Sequence, residues 1–518
     1  MSTPMRTFGN AVANYGGFTA SAVVFFFLTP LIVSTLGVEG FGLWTLVFAT
    51  VGWVGLLDVG LQTTTVKFVG EYKGRGDVDT RNRILSTIAA LYGVVALGAL
   101  ALIGLLALSF SRLFGIPEDQ QPTALLLVWI LGARVTFVGL PLSLFRAILF
   151  GEQRIVPLNL IQGATTLAYG TVAWALLALG GDLVALAWVN LAAMVVEHAL
   201  YAAYALRTVP GLRIAPSLVE PGLLARTLGF SGYQVVVNAA VLVRLRSDLF
   251  MIKLFLPLSA VGVYAVALKM AEQLSYALKR GVNVLAPVAA ELGGAQDREA
   301  LGRLFLSGTQ YAFALALALW VLCVALGTEA IVAWVGPDFA SSGPILVILA
   351  GAMVLATVEG VAASVLAMTG HHRATSRAAL ASAVVNIVVS LLLIRPYGIV
   401  GVAIGTLVAG LTIDLVLVPR LAFRAYGIRP MDFVRRVLVP AGLSAVAQLA
   451  ALGLIELAWA PRTLPQIGVA SLASLLVFAS CFWRLGIPSE DRAALRRHLS
   501  TRWGTRRRRL PESEWVRT

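Results

Sequence analysis

Between Arg226 and Glu291 the chain carries two apolar runs, VVVNAAVLV (235–243) and MIKLFLPLSAVGVYAVAL (251–268), with Arg244, Arg246, Asp248, Lys269 and Glu272 set in or beside them. The runs are as apolar as lipid, yet each charge at a helix centre costs about 2.5–3.5 kcal/mol on insertion scales. Two membrane-spanning helices folded back at Leu256–Ala260 reconcile these facts if the charges face one another across water inside the protein. Arg244 lies 13 residues before Pro257 and Lys269 12 after it. At about 1.5 Å per residue they reach similar depth. Helical spacing places Lys269, Glu272, Gln273, Tyr276, Lys279, Arg280 and Asn283 in one polar stripe. Arg244, Asp248 and Tyr233 share a face of the preceding helix, whereas Arg246 points away and no partner for it is evident. The same spacing also allows plain ion pairing, Arg244 with Asp248 and Lys269 with Glu272.

Composition extends this reading to the whole chain. Of 518 residues, 58% are hydrophobic and 13% charged, with a mean hydropathy of +0.86, the signature of an all-α polytopic membrane protein. The first apolar run, Ala11–Leu36, is too long for a signal-peptide core and reads as a first span. Fourteen candidate spans lie near 10–36, 41–66, 84–110, 122–149, 155–179, 183–206, 228–255, 261–290, 304–326, 343–369, 375–394, 398–419, 436–457 and 464–485. Cys323 and Cys481 both sit in apolar runs without disulfide or CxxC metal spacing. His198, His371, His372 and His498 are scattered, and no nucleotide loop or nucleophile–base arrangement is evident. The expectation is a carrier, not an enzyme, with no cofactor and no ATP chemistry of its own.

Lys and Arg orient the spans. With the N-terminus inside, 22 of the 40 basic residues fall in the N-terminal segment and alternate loops, and ten more from Arg484 through the tail. Only Arg112, Lys253, Arg395 and Arg462 fall outside, and Arg134, Arg244, Arg246 and Lys269 remain in the membrane. This bias predicts both termini to be cytoplasmic and accounts for most of the net charge of +14, so that charge is no argument for nucleic acid. Arg506–Arg509 either hold anionic lipid headgroups or anchor the topology.

A shift of 220 residues aligns Gly42 with Gly262, Glu71 with Glu291, Gly74 with Gly294, Asp77 with Asp297 and Arg83 with Arg303 without a gap. Six spans precede the shift point, so the halves are expected to be parallel repeats related by an axis along the membrane normal. The expected organisation is a six-helix lobe (1–206), a cytoplasmic linker (207–226), a second six-helix lobe (227–424), two additional spans (425–486) and a basic tail (487–518). Two such lobes around midplane polar groups suit alternating access.

Arg134, Arg244 and Lys269 fall at one depth. Such cations suit a diphosphate, because a guanidinium offers forked donors; the alternative for Arg134 is a structural pairing with an acid not evident in the sequence. Tyr276 and Asn14 are further candidates for the same cavity, Asn14 in a narrow polar stripe with Asn10 and Ser21 that could instead join helices. Asp58 with Gln62 one turn on, Asp248, Glu272 and Glu359 are candidates for a coupling proton or sodium ion, as are Glu197 and Asp414, which correspond between halves. For Asp58, Glu359, Glu197 and Asp414, helix capping, interhelical hydrogen bonding or simple ion pairing is an equal explanation.

The segments NAVANYGGFTASAVVFFFLTPLIVSTLGVEGFGLWTLV (10–47), GLLDVGLQTTTVKFVGEYKGRGD (55–77), LFRAILFGEQR (144–154) and YGIVGVAIGTLVAG (397–410) resemble those of polysaccharide transporters. The chain is similar in this order of segments to the lipid-linked oligosaccharide (O-antigen, Wzx-type) flippases of the multidrug/oligosaccharidyl-lipid/polysaccharide exporter superfamily. The resemblance implies a bacterial inner-membrane protein with a V-shaped two-lobed fold. It implies translocation of undecaprenyl-diphosphate-linked oligosaccharide from the cytoplasmic to the periplasmic leaflet through a cationic cavity. Implied partners are the glycolipid, membrane lipids and the polymerase or glycosyltransferases of the same pathway. A multidrug or metabolite exporter of the same superfamily is the alternative. The two extra spans resemble those of the lipid II flippases, but that family's cation pattern in the first two spans is replaced here by Asn10, Asn14 and Asp58.

Overall fold

A computed structural model describes residues 3–223, 247–283, 285–294, 297–487 and 492. The regular structure among the described residues is helical, without a strand. In order the helices are α1 (Thr3–Val54), α2 (Leu56–Arg75), α3 (Val78–Leu113), α4 (Gln121–Ala133), α5 (Leu140–Gly151), α6 (Ile155–Ala178) and α7 (Leu183–Thr208). Residues 247–255 form α8. Then follow α9 (Leu258–Asn283), α10 (Leu285–Gly294), α11 (Arg298–Val335), α12 (Ser342–Met368), α13 (His372–Ala409), α14 (Val418–Tyr426), α15 (Pro430–Phe433), α16 (Val439–Trp459) and α17 (Leu464–Leu485). Among the described residues ten helical stretches are long and apolar enough to cross a bilayer, so this is a multi-pass membrane protein. Leu108 and Leu179 are more than 80% exposed, which only a lipid surround makes favourable.

The longest stretch, Arg373–Tyr426, would measure about 80 Å as one rod, against a core of about 30 Å. It doubles back at Gly398 (φ 58°, ψ −139°), which brings Gly401 against the Leu393 carbonyl. Gly37 (φ 71°) turns α1 in the same way. The expected single span 41–66 is interrupted at Gly55, between α1 and α2, where Gly52 and Gly55 weaken the helix. Three wide π-turns, Arg134–Gly139, Gly410–Leu417 and Val434–Leu438, each stop two residues short of a proline: Pro141, Pro419 and Pro440. Proline lacks an N–H and its ring collides with the carbonyl one turn back. Widening the preceding turn gives that carbonyl room within a continuous helix.

Two compact units emerge. The first comprises residues 1–273, 331–349 and 376–413. In it α1 packs on α6, α2 on α3 and α5, and α7 on α4, α5 and α6, around the fully buried Phe68, Tyr92, Tyr201 and Tyr264. Gly42 of α1 and Gly262 of α9, the pair aligned by the 220-residue shift, lie against one another. A Cβ on Gly42 would strike the Leu258 carbonyl, and one on Gly262 the Val38 carbonyl. The aligned pair Asp77 and Asp297 both cap helices, accepting from Thr80 N (3.0 Å) and Ala300 N (2.9 Å). The Thr80 hydrogen bonds hold the Asp77 carboxyl below the usual carboxylate range.

The segment after α7 is fastened to α3. Arg81 donates to Pro210 O (2.8 Å), Asn82 to Gly211 O (2.7 Å), Ala215 N to Ser86 Oγ (3.2 Å) and Glu220 N to Thr87 Oγ1 (3.0 Å). Arg154 adds a bond to Thr208 O (2.7 Å). Glu152, buried, ties Lys73 (2.8 Å) to Arg81 (3.6 Å). Arg81→Ala therefore removes a buried cation while leaving Glu152 its Lys73 partner. The expected cost is about 2 kcal/mol, seen as a lower melting temperature and faster tryptic cutting near Arg213; an unchanged cutting pattern would count against the clamp.

The second unit comprises residues 274–330, 350–375 and 414–518. Phe305 packs on Phe423 and Phe433 (ring centroids 6.1 and 6.2 Å). Buried Gln448 of α16 donates to Ala318 O of α11 (3.1 Å) and faces Ser474 of α17 (3.5 Å). Gln310 of α11 donates to Gly486 O just beyond α17. Such polar ties hold helices together where lipid supplies no hydrophobic drive.

Candidate functional site

Polar groups inside an apolar bundle need partners, because lipid supplies none. In the first unit they gather in two places. The first is a cavity of about 400 Å³ walled by α2, α5, α6, α7 and the π-turn after α4. Asp58 projects from the start of α2. Its Oδ2 accepts from Gln62 (2.7 Å) and its Oδ1 from Tyr92 (2.8 Å) and Ser143 (2.5 Å). Across the cavity Glu197 accepts from Tyr201 (2.9 Å) and Thr165 (3.4 Å). His198 places Nδ1 3.0 Å from Met194 O.

Arg134 opens the π-turn and aims its guanidinium over the Phe48 ring (5.6 Å). Its Nε is buried with no acceptor among the described residues, and Asn190 Oδ1, another wall residue, has no donor. Arg146, Gln162 and Tyr169 complete the polar wall. The four charged groups, Arg134, Arg146, Asp58 and Glu197, balance two against two. A chamber so lined can hold water or a polar, hydroxyl-rich ligand, with an unsatisfied donor and acceptor ready for it.

The second place is buried Asp248 of α8, 4% exposed. Its Oδ2 accepts from Tyr264 (2.5 Å) and Thr406 (3.2 Å), and Asn386 donates to Thr406 Oγ1 (2.8 Å). Asp248 Oδ1 and Asn386 Oδ1 are both buried without a donor among the described residues. A bare carboxylate oxygen and a bare amide oxygen in one network are hard ligands of the kind that hold a proton or an alkali cation.

Of the sequence candidates, Arg134 and Asp58 thus share a cavity, while Asp248 stands in its own network. Lys269 and Glu272 pair at 3.0 Å with the lysine one-third exposed, the plain ion pair that the spacing allowed. Tyr276 is half exposed in α9. Glu359 lies partly exposed in α12, within the second unit. Arg244, Arg246 and Tyr233 lie outside the described residues, as do the side chains of Asn10, Asn14, Arg280 and Asn283. Sequence reasoning missed Tyr92, Ser143, Tyr264, Asn386 and Thr406. Polar residues in otherwise apolar spans were the available signal, and only distance along the chain hid their partners.

A family model described as "Polysaccharide biosynthesis protein" matches residues 8–292. The uncharacterized membrane protein EpsK of Bacillus subtilis (strain 168) is 22% identical over 437 residues, 83% of this chain and 86% of that protein. The probable low-salt glycan biosynthesis flippase Agl15 of Haloferax volcanii is 26% identical over 266 residues, half of this chain and 54% of that protein. Among solved structures, a lipid II flippase MurJ in an inward closed conformation superposes with a TM-score of 0.70 at 14% identity, covering 93% of this chain and 99% of its own. An inward-facing multidrug resistance MATE family transporter of the MOP superfamily gives 0.68 at 16% identity, covering 79% of this chain and 95% of its own. These likenesses establish a shared fold.

Proposed function

The chain belongs to the polysaccharide biosynthesis protein family, and from that premise we propose that it is a flippase for lipid-linked glycan. The cargo is a polyprenyl-diphosphate-linked oligosaccharide, moved from the cytoplasmic to the external leaflet by alternating access. Both termini are cytoplasmic in this reading, and the membrane is the bacterial inner membrane. A proton or sodium gradient drives the cycle, with Asp248 the foremost coupling group and Asp58, Glu272 and Glu359 the others. The observation that carries the proposal is the polar chamber lined by Arg134 and Asn190, where among the described residues the Arg134 Nε lacks an acceptor and the Asn190 Oδ1 lacks a donor. A bundle needed only for packing gains nothing from leaving these two groups unmet. Sugar hydroxyls and phosphate oxygens satisfy both kinds. Lys269, Arg244, Tyr276 and Asn14 are assigned to the passage of the diphosphate and sugar.

The test is leaflet exchange of a fluorescent polyprenyl-diphosphate oligosaccharide in proteoliposomes. Arg134→Ala is expected to slow exchange about tenfold, the loss of about one charge-assisted hydrogen bond at roughly 1.4 kcal/mol per decade. Arg134→Lys restores part of it. Wild-type exchange by Arg134→Ala at equal protein density would remove the chamber from the transport path.

A further inference from the structure

A second cavity, about 410 Å³, lies in the first unit between α1, α3 and α8 and belongs to neither polar place. Its walls include Trp53, Leu102, Leu106, Phe114, Phe250 and Leu254. The one hydroxyl among its wall residues, Thr50, is spent on Leu46 O (2.8 Å). Leu102 of α3 and Leu254 of α8 are also exposed at the surface, and α3 carries exposed Leu97, Leu105 and Leu108 besides. The cavity is therefore in contact with lipid rather than water. Close-packed proteins do not leave an apolar space of this size empty against a fluid that can fill it.

One end of the cavity is positive. Lys253, one helical turn beyond Phe250, is 8% exposed. Among the described residues its Nζ reaches only the Gly115 carbonyl, at 3.4 Å, next to wall residue Phe114. No carboxylate pairs with it among the described residues. Arg112 lies exposed in the last turn of α3, and Arg395 places its guanidinium over the Phe255 ring at 5.8 Å, two residues from Lys253. A secluded ammonium without a counter-ion implies that the counter-ion comes from outside the chain. Among the described residues Trp53 Nε1 also lacks an acceptor, which an ester carbonyl would supply.

We propose that this cavity is a binding site for an anionic phospholipid, with one acyl chain between α1, α3 and α8 and the headgroup phosphate on Lys253. Arg112 and Arg395 add long-range attraction for the negative headgroup. Bulk phospholipid, not the rare isoprenoid carrier, is the occupant because the opening faces the bilayer and mass action favours the abundant amphiphile. The site stands independently of the cargo that the protein moves.

The experiment uses the full chain in nanodiscs with trace photoactivatable phosphatidylglycerol or phosphatidylcholine, each with a diazirine on one acyl chain, and peptide mapping of adducts. Wild-type protein is expected to show at least fivefold more phosphatidylglycerol than phosphatidylcholine adduct on peptides containing Leu102–Leu106 and Phe250–Leu254. Lys253→Gln should abolish that preference while leaving phosphatidylcholine labelling unchanged. Leu106→Trp, which fills the cavity, should remove both adducts there. Equal wild-type labelling by the two lipids, or labelling indifferent to both substitutions, would overturn the site. Displacement of the phosphatidylglycerol probe by equimolar polyprenyl phosphate would overturn the choice of occupant.

Discussion

Asp248→Asn is expected to abolish gradient-driven glycolipid exchange, by about a hundredfold, while leaving the protein as stable as the wild type or more so. Asparagine keeps the shape of the side chain and can still accept from Tyr264 and Thr406, which hold Oδ2 at 2.5 and 3.2 Å. What it removes is the charge. A carboxylate this deeply buried, with Oδ1 bare, costs several kcal/mol of lost hydration unless a cation or proton joins it. Neutralising it relieves that cost, so a purely structural Asp248 predicts no loss of exchange and a melting temperature that holds or rises. If Asp248 instead carries the coupling ion, stability and transport part company. A two-state cycle whose ion shifts the balance by about 2.7 kcal/mol loses about a hundredfold when that ion no longer binds. The measurement is exchange in proteoliposomes under imposed sodium or proton gradients, paired with thermal unfolding of the same preparations. Retention of gradient-dependent exchange by Asp248→Asn would end the coupling assignment.

The second large effect comes from one methyl group. At Gly42 and Gly262 the backbones of α1 and α9 meet so closely that any Cβ collides with a carbonyl of the other helix. A flexible side chain can move aside, but a hydrogen-bonded helix backbone cannot. Gly262→Ala must therefore push the two helices apart, at a cost of about 3 kcal/mol, the upper range of overpacking. The expected result is a melting temperature lowered by several degrees and exchange reduced at least tenfold, with Gly42→Ala behaving alike. Gly70, in α2, meets nothing within 4 Å where its Cβ would be. Alanine there is expected to stabilise slightly, because glycine is the poorer helix former. The opposite signs at two glycines isolate the close approach from helix propensity; a Gly262→Ala protein as stable as Gly70→Ala would refute it.

The spans were the most legible part of this protein. Leu464–Leu485 and Ser342–Met368 match the expected runs almost residue for residue, because lipid on one side and packed helix on the other both demand apolar side chains. The break at Gly55 was not legible, since VGWVGLLDVGLQTTTV reads as the second half of one span. The site divides in the same way. Asp58 with Gln62 is a local pair visible at one turn's spacing, whereas Tyr92 and Ser143 complete its shell from 34 and 85 residues away. Asp248 was visible as a charge out of place. Its partners Thr406 and Asn386 were hidden because a lone threonine or asparagine in a membrane helix is cheap and common, and only the fold brings them to the carboxylate. Lys269 shows the converse: two opposite charges three residues apart were legible as a pair, and they pair.

The carboxamide of Gln448 joins three helices that hydrophobicity alone would let slide in the bilayer. With Gln310 fastening the far end of α17, the final hairpin is riveted to α11 at two heights. Any displacement of α11 drags that hairpin along, so the last sixty membrane-embedded residues travel as cargo of their host helix and cannot act as an independently swinging flap.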